Sequence, residues 1–263
     1  MAPELCAQLG AVQFTAAGQR RRLEAVALEE PLELRLEQPA GALTLAVLMR
    51  TPGHDRELLT GWLVSEGLLP AAFSLWPGQN PNVWHLSTPE HARLAHGARL
   101  AVSSSACGVC GTGSIERLAV RAGRPRWTGE ALLPELVSVL PERLQAAQTG
   151  FAATGGLHGA GLFSAAGERL CAFEDVGRHN SVDKVVGWAV SRLPLTNHLL
   201  CVSSRAGFEI VQKAVMAGVA VVVTVGAAST LAIDTAQTFG VTLCAFTRQG
   251  RFTVYSAPER IRK

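Results

Sequence analysis

Cysteine and long apolar runs are both scarce in this sequence. Six cysteines in 263 residues are too few for the disulfide framework of a small secreted domain. The longest apolar stretch, residues 214–228, is interrupted by Gly218, Thr224 and Gly226, and it is shorter than the ~20 residues that a membrane span needs. The first residues carry no basic segment ahead of an apolar one, which a secretory signal would require. We therefore expect a protein of the reducing cytoplasm that makes no use of a membrane.

Charge is also limited. Charged residues make up 17% of the chain and hydrophobic residues 48%, and the net charge is +3. The hydrophobic fraction is high enough for a compact core, and the small net charge does not indicate nucleic-acid binding. Lysine is nearly absent, with 3 Lys against 21 Arg. Coding bias explains scattered arginines, whereas a cluster of guanidinium groups at one site would favour phosphates or carboxylates.

Alternating patterns predict a β-rich N-terminal domain over residues 1–128. The segments 31–37 (PLELRLE) and 43–49 (LTLAVLM) are apolar at every second position and predict a β-hairpin. Residues 54–67 carry apolar residues at helical spacing and predict a helix that ends at Gly67. Beyond it, only short strands near 83–86 and 99–102 are indicated, and residues 121–130 are typical of a linker.

The second domain, residues 129–263, shows strands that alternate with helices. We predict a helix over 130–148, with Pro134 near its start and Pro141 as a kink or break. Further helices are predicted to begin at Ser181, Phe208 and Thr230. Strands are predicted at 169–173, 199–202, 219–225, 242–246 and 252–255. This alternation predicts a largely parallel α/β sheet.

The loops after these strands are rich in glycine, hydroxyl groups and arginine. In parallel units such loops meet at one edge of the sheet, where ligands bind. They are 174–181 (EDVGRHNS), 203–207 (SSRAG), 226–229 (GAAS) and 247–251 (TRQGR). Together they predict an anion site that contains Arg178, Arg205, Arg248 and Arg251, beside helix N-termini that favour phosphate. For any single loop, an ordinary turn with a solvated arginine is the alternative.

Several other polar residues lie near this predicted edge. His158 and His179 lie in glycine-flanked loops and are predicted to act as a base or phosphate donor, or to form local hydrogen bonds. Asp175 is predicted to position Arg178 or to cap the next helix, and Asp183 to lie in that helix's first turn. A solvated helix face is predicted for Glu209, Gln212 and Lys213, with a role at the cleft as the alternative. Small core residues in apolar strands are predicted for Cys171, Cys201 and Cys244.

Cys107 and Cys110 form a C-x-x-C motif within residues 103–114 (SSSACGVCGTGS). Four chemistries use this spacing: a disulfide, half of a zinc site, a redox pair, and a nucleophilic thiolate that carries a group. The reducing compartment makes the disulfide the weakest of these. The small residues around the two cysteines do not decide between a zinc site, a redox pair and a nucleophilic thiolate.

Several longer motifs carry a family resemblance. They are CGVCG, LHGAGL, EDVGRHNSVDKVVGWA, SSRAGFEIVQKAVMAG and TLCAFTRQGRFTVYSAPERI, preceded by residues 29–69. In this order they resemble the FdhD/NarQ family, sulfurtransferases that formate dehydrogenases need for activity. The resemblance covers nearly the whole chain from Glu29.

The resemblance implies a cytidine-deaminase-like three-layer α/β/α core, a homodimer, and a persulfide on Cys107 with Cys110 as its neighbour. It also implies that sulfur comes from a cysteine desulfurase and passes to the molybdenum cofactor, bis(molybdopterin guanine dinucleotide), before insertion into formate dehydrogenase. GDP would be a partial mimic of that cofactor. The cofactor-binding residues would be Phe246, Thr247, Arg248, Gln249, Gly250 and Arg251, with Gly177, Arg178, His179, Ser204 and Arg205.

Three alternatives follow from the same residues. A zinc nucleotide deaminase needs Pro-Cys-x-x-Cys and H-x-E patterns, but Ala106 precedes Cys107 and H-x-E does not occur. A structural zinc site could use Cys107, Cys110, His91 and His96. A chaperone that binds the cofactor without carrying sulfur would need only the glycine and arginine loops.

Overall fold

The computed structural model describes residues 5–96, 115–116, 118–119, 121–248 and 250–262. Its strands are β1 (Cys6–Thr15), β2 (Gly18–Ala27), β3 (Glu30–Leu36), β4 (Leu43–Arg50), β5 (Ser74–Pro77), β6 (Val83–Ser87), β7 (His158–Ser164), β8 (Arg169–Asp175), β9 (His198–Val202), β10 (Val221–Thr224), β11 (Thr242–Arg248) and β12 (Arg251–Val254). Its helices are α1 (Asp55–Ser65), α2 (Pro134–Gln145), α3 (Thr149–Thr154), α4 (Arg178–Trp188), α5 (Phe208–Ala217) and α6 (Thr230–Phe239).

The N-terminal part contains a four-stranded sheet in the order β4-β3-β6-β5. The predicted hairpin is confirmed, since β3 and β4 pair antiparallel, and β3 pairs parallel with β6. Alternate leucines of β3 face inward and pack with leucines of α1, among them Leu34, Leu58 and Leu63, each fully buried. The period of two on β3 and the helical spacing on α1 therefore produce one small leucine core.

Two strands, β1 and β2, form a separate hairpin that the sequence patterns did not predict. Both strands alternate poorly between apolar and polar residues, so neither carries a clear strand period. The predicted strand at 99–102 lies outside the described residues.

The second part contains a six-stranded sheet in the order β12-β11-β10-β9-β7-β8. Strands β9, β10 and β11 are parallel neighbours, as predicted. The prediction of a largely parallel sheet is otherwise wrong, because β7 runs antiparallel to both β8 and β9, and β12 runs antiparallel to β11. Tight turns join β7 to β8 and β11 to β12, whereas β8 and α4 lie between β7 and β9 in the chain. Strand β7 was not predicted.

Helices cover both faces of this sheet, which confirms the α/β fold class. On one face α4, α5 and α6 pack on residues such as Val202, Val222 and Leu243. On the other face α2 packs on residues such as Cys201 and Val223. Pro141 lies inside α2 without ending it, so the predicted break is wrong. Within the described ranges, no helix is long and apolar enough to cross a bilayer.

Helix α1 joins the two parts by lying directly against α4. The two helices approach so closely that backbone touches backbone at glycines. A Cβ atom on Gly61 would lie 1.8 Å from the Asp183 carbonyl oxygen, and one on Gly187 would lie 1.9 Å from the Glu57 carbonyl oxygen. The crossing therefore depends on glycine at both positions.

Candidate functional site

The predicted loops meet at one edge of the six-stranded sheet. Strands β8, β9, β10 and β11 all end at this edge, while β7 and β12 begin there. Direct hydrogen bonds connect the loops. The Gly226 amide donates to the Ser204 carbonyl (3.1 Å), and the Phe246 amide donates to the Gly226 carbonyl (3.0 Å). The prediction that these loops share an edge is confirmed.

Buried Asp175 organises the loop after β8. Its carboxylate forms an ion pair with Lys184 (2.8 Å) and accepts hydrogen bonds from the Gly177 amide (2.8 Å) and the Asn180 side chain (2.9 Å). It also accepts one from the Thr51 amide (3.2 Å), which belongs to the N-terminal part. Asp175 therefore fixes the start of α4 and ties it to the segment before α1. In the described residues it makes no contact with Arg178, in contrast to one of its two predicted roles.

Helix α4 begins at Arg178, three residues earlier than predicted. Arg178 and His179 are therefore helical rather than in a loop. His179 Nε2 lies 2.7 Å from Glu209 Oε2, which links the first turn of α4 to that of α5. The hydrogen bond from His179 lowers the pKa of Glu209. Glu209 is exposed as predicted, but it holds this imidazole in place.

The roles predicted for Asp183 and Lys213 are wrong. Asp183 lies on the sixth residue of α4 and is 1% exposed, and Lys213 is 6% exposed. Lys213 Nζ donates to both Asp183 oxygens at 2.8 and 2.9 Å, and the Ser65 hydroxyl donates at 2.6 Å. Burial raises the pKa of Asp183, against the opposing effects of Lys213 and Ser65. The ion pair links α1, α4 and α5 in the interior. The pattern of residues along any one of these helices does not predict its burial.

His158 opens β7 directly opposite Asp175 in the strand register. It is half-buried, and burial lowers its pKa, with further lowering from the positive charges of Arg178 and His179. The lowered pKa favours the neutral form of the His158 imidazole, beside the guanidinium group of Arg178. Such a neutral ring can accept a proton or a hydrogen bond.

The segment 246–251 has an unusual backbone. Phe246 has φ +54° and its side chain is 42% exposed, although this conformation is unfavourable for an aromatic residue. Thr247 is fully buried, and its hydroxyl finds no hydrogen-bond partner among the described residues. Strain and an unpaired buried hydroxyl are typical of positions that meet a ligand. Arg248 and Arg251 follow as exposed cross-strand partners.

The arginines of this edge are available to a ligand. Among the described residues, no ion pair involves Arg178, Arg205, Arg248 or Arg251. The N-termini of α4 and α5 have no side-chain cap, so their first amides add to the positive potential. The N-terminus of α6 differs, because the Ser229 hydroxyl accepts a hydrogen bond from the Ala232 amide. The arrangement can hold an anion with several negative charges.

Of the predicted site residues, the structure places Gly177, Arg178, His179, Ser204, Arg205, Phe246, Thr247, Arg248, Gly250 and Arg251 along this edge. Ser204 is buried, whereas Arg205 is exposed. Cys107, Cys110 and Gln249 lie outside the described residues. Sequence reasoning missed Thr51, Lys184 and the His179–Glu209 pair. The sequence carries no clear signal for Lys184, because its neighbours at helical spacing are Asn180, Ser181, Gly187 and Trp188.

Comparison with known proteins was made for the whole chain. A sequence model of the FdhD/NarQ family matches residues 27–262. The sulfur carrier protein FdhD of Nocardia farcinica is 40% identical over 275 residues, which cover 100% of this chain and 97% of that protein. The protein of the same name from Corynebacterium efficiens is 42% identical over 256 residues, covering 89% of this chain and 90% of that protein.

A solved structure has the same fold. It is the crystal structure of a protein assigned as a formate dehydrogenase accessory protein from Desulfotalea psychrophila. It superposes with a TM-score of 0.78 at 21% identity and covers 98% of this chain and 100% of that chain. The family match and the identities to relatives along nearly the full length agree with the motif-based resemblance. This chain belongs to the FdhD/NarQ family.

Proposed function

We propose that this protein is a sulfurtransferase that carries sulfur as a persulfide on Cys107. The sulfur comes from a cysteine desulfurase, and its acceptor is the molybdenum cofactor, bis(molybdopterin guanine dinucleotide), which formate dehydrogenase then receives. The observation that carries the proposal is the similarity to proteins named sulfur carriers along nearly the whole chain. The proposal includes a cytoplasmic homodimer, as the resemblance implies.

The described cysteines of the α/β part support the assignment to the C-x-x-C motif. Burial raises the pKa of Cys171 and of Cys244 to about 12, and it raises the pKa of Cys201 as well. A sulfur carrier needs the thiolate form, since the thiolate is the nucleophile. Cys201 and Cys244 are buried core residues, as predicted, and Cys171 is partly buried against the core.

Loading is a thiol exchange in which the Cys107 thiolate attacks the outer sulfur of the desulfurase persulfide. The bond between the two desulfurase sulfurs breaks, its cysteine leaves as a thiolate, and a new S–S bond forms on Cys107. Delivery of the outer sulfur to the cofactor as sulfide breaks the S–S bond on Cys107 and needs two electrons, which the acceptor would supply if its molybdenum is reduced. Cys107 then returns to the thiolate.

The arginine-bearing edge would hold the guanine nucleotide ends of this substrate. The substrate carries diphosphate groups, and the edge offers four arginines and two uncapped helix N-termini. The exposed ring of Phe246 offers an apolar surface on which a base could stack. The neutral His158 can accept a hydrogen bond from the same ligand.

Intact-mass spectrometry tests the persulfide. After incubation with a cysteine desulfurase and cysteine, the protein should gain about one sulfur (~32 Da), because the thiolate accepts the sulfane atom. The gain should be absent from Cys107→Ser and present in Cys6→Ser, which is the matched control. Labelling that persists in Cys107→Ser would contradict the assignment. Full dehydrogenase activation by Cys107→Ser would favour a chaperone that carries no sulfur.

GDP binding tests the arginine edge. GDP should raise the melting temperature of the wild type by binding the folded state. Arg248→Ala and Arg251→Ala should each lose a charge-assisted contact of roughly 1.5–3 kcal/mol, which lowers affinity about tenfold or more. Arg192→Ala is the control, because Arg192 follows the C-terminal end of α4, away from the edge. Unchanged GDP affinity in both edge variants would place the nucleotide elsewhere.

A further inference from the structure

The β1–β2 hairpin is only weakly supported by the rest of the described structure. The two strands pair along their whole length, from Cys6–Ala27 to Thr15–Gly18, and form a two-stranded sheet of their own. Packing involves the base of the hairpin, where Leu5 and Ala27 approach α3 and the loop that follows it. Every residue from 14 to 23 is exposed. An isolated two-stranded hairpin is only marginally stable in water.

The hairpin also exposes large apolar side chains on both of its faces. The exposed fractions are 52% for Leu9, 48% for Val12, 76% for Phe14, 69% for Leu23 and 41% for Val26. The strand register puts Val12, Phe14 and Leu23 on one face, and Leu9 and Val26 on the other. An arm that is apolar on both faces is typical of a strand pair that is completed by another chain.

The two edges of the hairpin differ in charge. Strand β1 (CAQLGAVQFT) contains no charged residue, whereas β2 (GQRRRLEAVA) carries three arginines and one glutamate. Natural sheets protect free edges with charged residues, and an uncharged edge is the one open to pairing. In a larger sheet, β2 would therefore be suited to an outer position and β1 to an inner one.

We propose that β1 pairs antiparallel with β1 of a second copy of this chain, forming a four-stranded sheet in the order β2-β1-β1-β2. A two-fold axis relates the copies, so the contact uses the same surface twice. The uncharged strands become central, and the arginine-bearing strands become the outer edges. Three or more strands give a sheet independent stability. The inference rests on the homodimer in the proposed function and names the surface through which the two copies would bind. That surface lies within residues 6–27, almost entirely outside the family match at 27–262.

This pairing would connect to the candidate site through α3. Helix α3 contacts both hairpin strands, and its first amides, on Gly150 and Phe151, donate to the Glu174 carboxylate at 2.8 and 2.7 Å. Glu174 precedes Asp175, which fixes the start of α4. The second copy would thus dock beside the edge that bears the arginines.

Sedimentation velocity of the full chain under reducing conditions tests the pairing. The Leu9→Lys/Val12→Lys variant puts two positive charges on β1 of each copy, so four charges lie at the contact. Because like charges repel, the dimer dissociation constant should rise at least about tenfold. Gln19→Lys/Leu23→Lys is the matched control, with two charges on β2, and should change the constant by less than about threefold. An equal effect of the two variants, or no effect of either, overturns the proposal.

A mixing experiment separates direct pairing from loss of hairpin structure. Leu9→Glu/Val12→Glu should weaken its own dimer in the same way. At a concentration where each variant alone is monomeric, an equimolar mixture of the two should form a heterodimer, because opposite charges then face each other across the axis. A mixture that stays monomeric, or a monomeric wild type, refutes the β1 contact. The ~32 Da gain on Cys107 is measured in the same samples, so failure of the interface leaves the sulfur proposal standing.

Discussion

Replacement of Gly187 by alanine should weaken the protein through the α1–α4 crossing. Two effects oppose each other. Alanine is the better helix former by about 1 kcal/mol, but its Cβ would lie 1.9 Å from the Glu57 carbonyl oxygen, whereas real Cβ contacts essentially never fall below 3.0 Å. The helices must therefore separate by about 1 Å, and overpacking between two backbones lies at or above the upper end of the usual range, at about 3 kcal/mol or more. The steric effect wins, because backbone cannot move aside as a side chain can.

The expected result is a net loss of at least about 2 kcal/mol in the free energy of unfolding. For a chain of this size such a loss lowers the melting temperature by about 4–8 °C. Urea denaturation followed by circular dichroism measures it. Gly61→Ala should behave alike, since its Cβ would lie 1.8 Å from the Asp183 carbonyl oxygen.

Gly123→Ala is the control, because nothing lies within 4 Å of its Cβ position and its φ is not positive. It should leave stability unchanged or raise it by up to about 1 kcal/mol. If Gly187→Ala is as stable as the wild type, the helices are not in backbone contact and the reasoning fails.

Two further perturbations test the buried charges near the site. Lys213→Met leaves the Asp183 carboxylate buried without its cation, so the free energy of unfolding should fall by about 3–5 kcal/mol in urea titrations. The double variant Asp183→Leu/Lys213→Met should recover most of this loss. If it does not, the loss does not come from the ion pair. Burial and nearby positive charges lower the pKa of His158, so the unfolded chain binds more protons between about pH 6.5 and the lower folded pKa. Stability should fall as pH drops through that interval, and His158→Gln should flatten this part of the profile. GDP beside Arg178 should raise the His158 pKa in an NMR titration, and an unmoved midpoint would exclude a nucleotide at that position.

Local patterns were sufficient for most of the α/β part. The apolar runs at β9, β10 and β11 are short, buried on both faces and separated by helical patterns, so their parallel pairing follows from the sequence. The loops at their ends then share an edge by topology alone. The sequence is therefore sufficient to group the arginine-bearing loops.

Strand direction and helix boundaries required the tertiary structure. Strand β7 contains three glycines or alanines in its first four residues, HGAG, so its sequence shows no alternation of apolar and polar residues. Its antiparallel pairing with β8 and β9 was therefore not predicted. The start of α4 at Arg178 depends on Asp175, which satisfies the loop amide of Gly177 while it is held by Lys184 and Thr51. Thr51 lies 124 positions from Asp175 in the chain, and no local pattern indicates that contact.

The sequence by itself determined the family, the α/β class and the loops that carry the site, because motif order and periodicity are local properties. The tertiary structure alone decided which charged residues are buried. The sequence predicts a first-turn position for Asp183 and a solvated face for Lys213, but the two form a buried ion pair, and the glycine crossing of α1 and α4 brings Ser65 onto Asp183. Burial is a property of what packs on a residue from elsewhere in the chain, and no local pattern contains it.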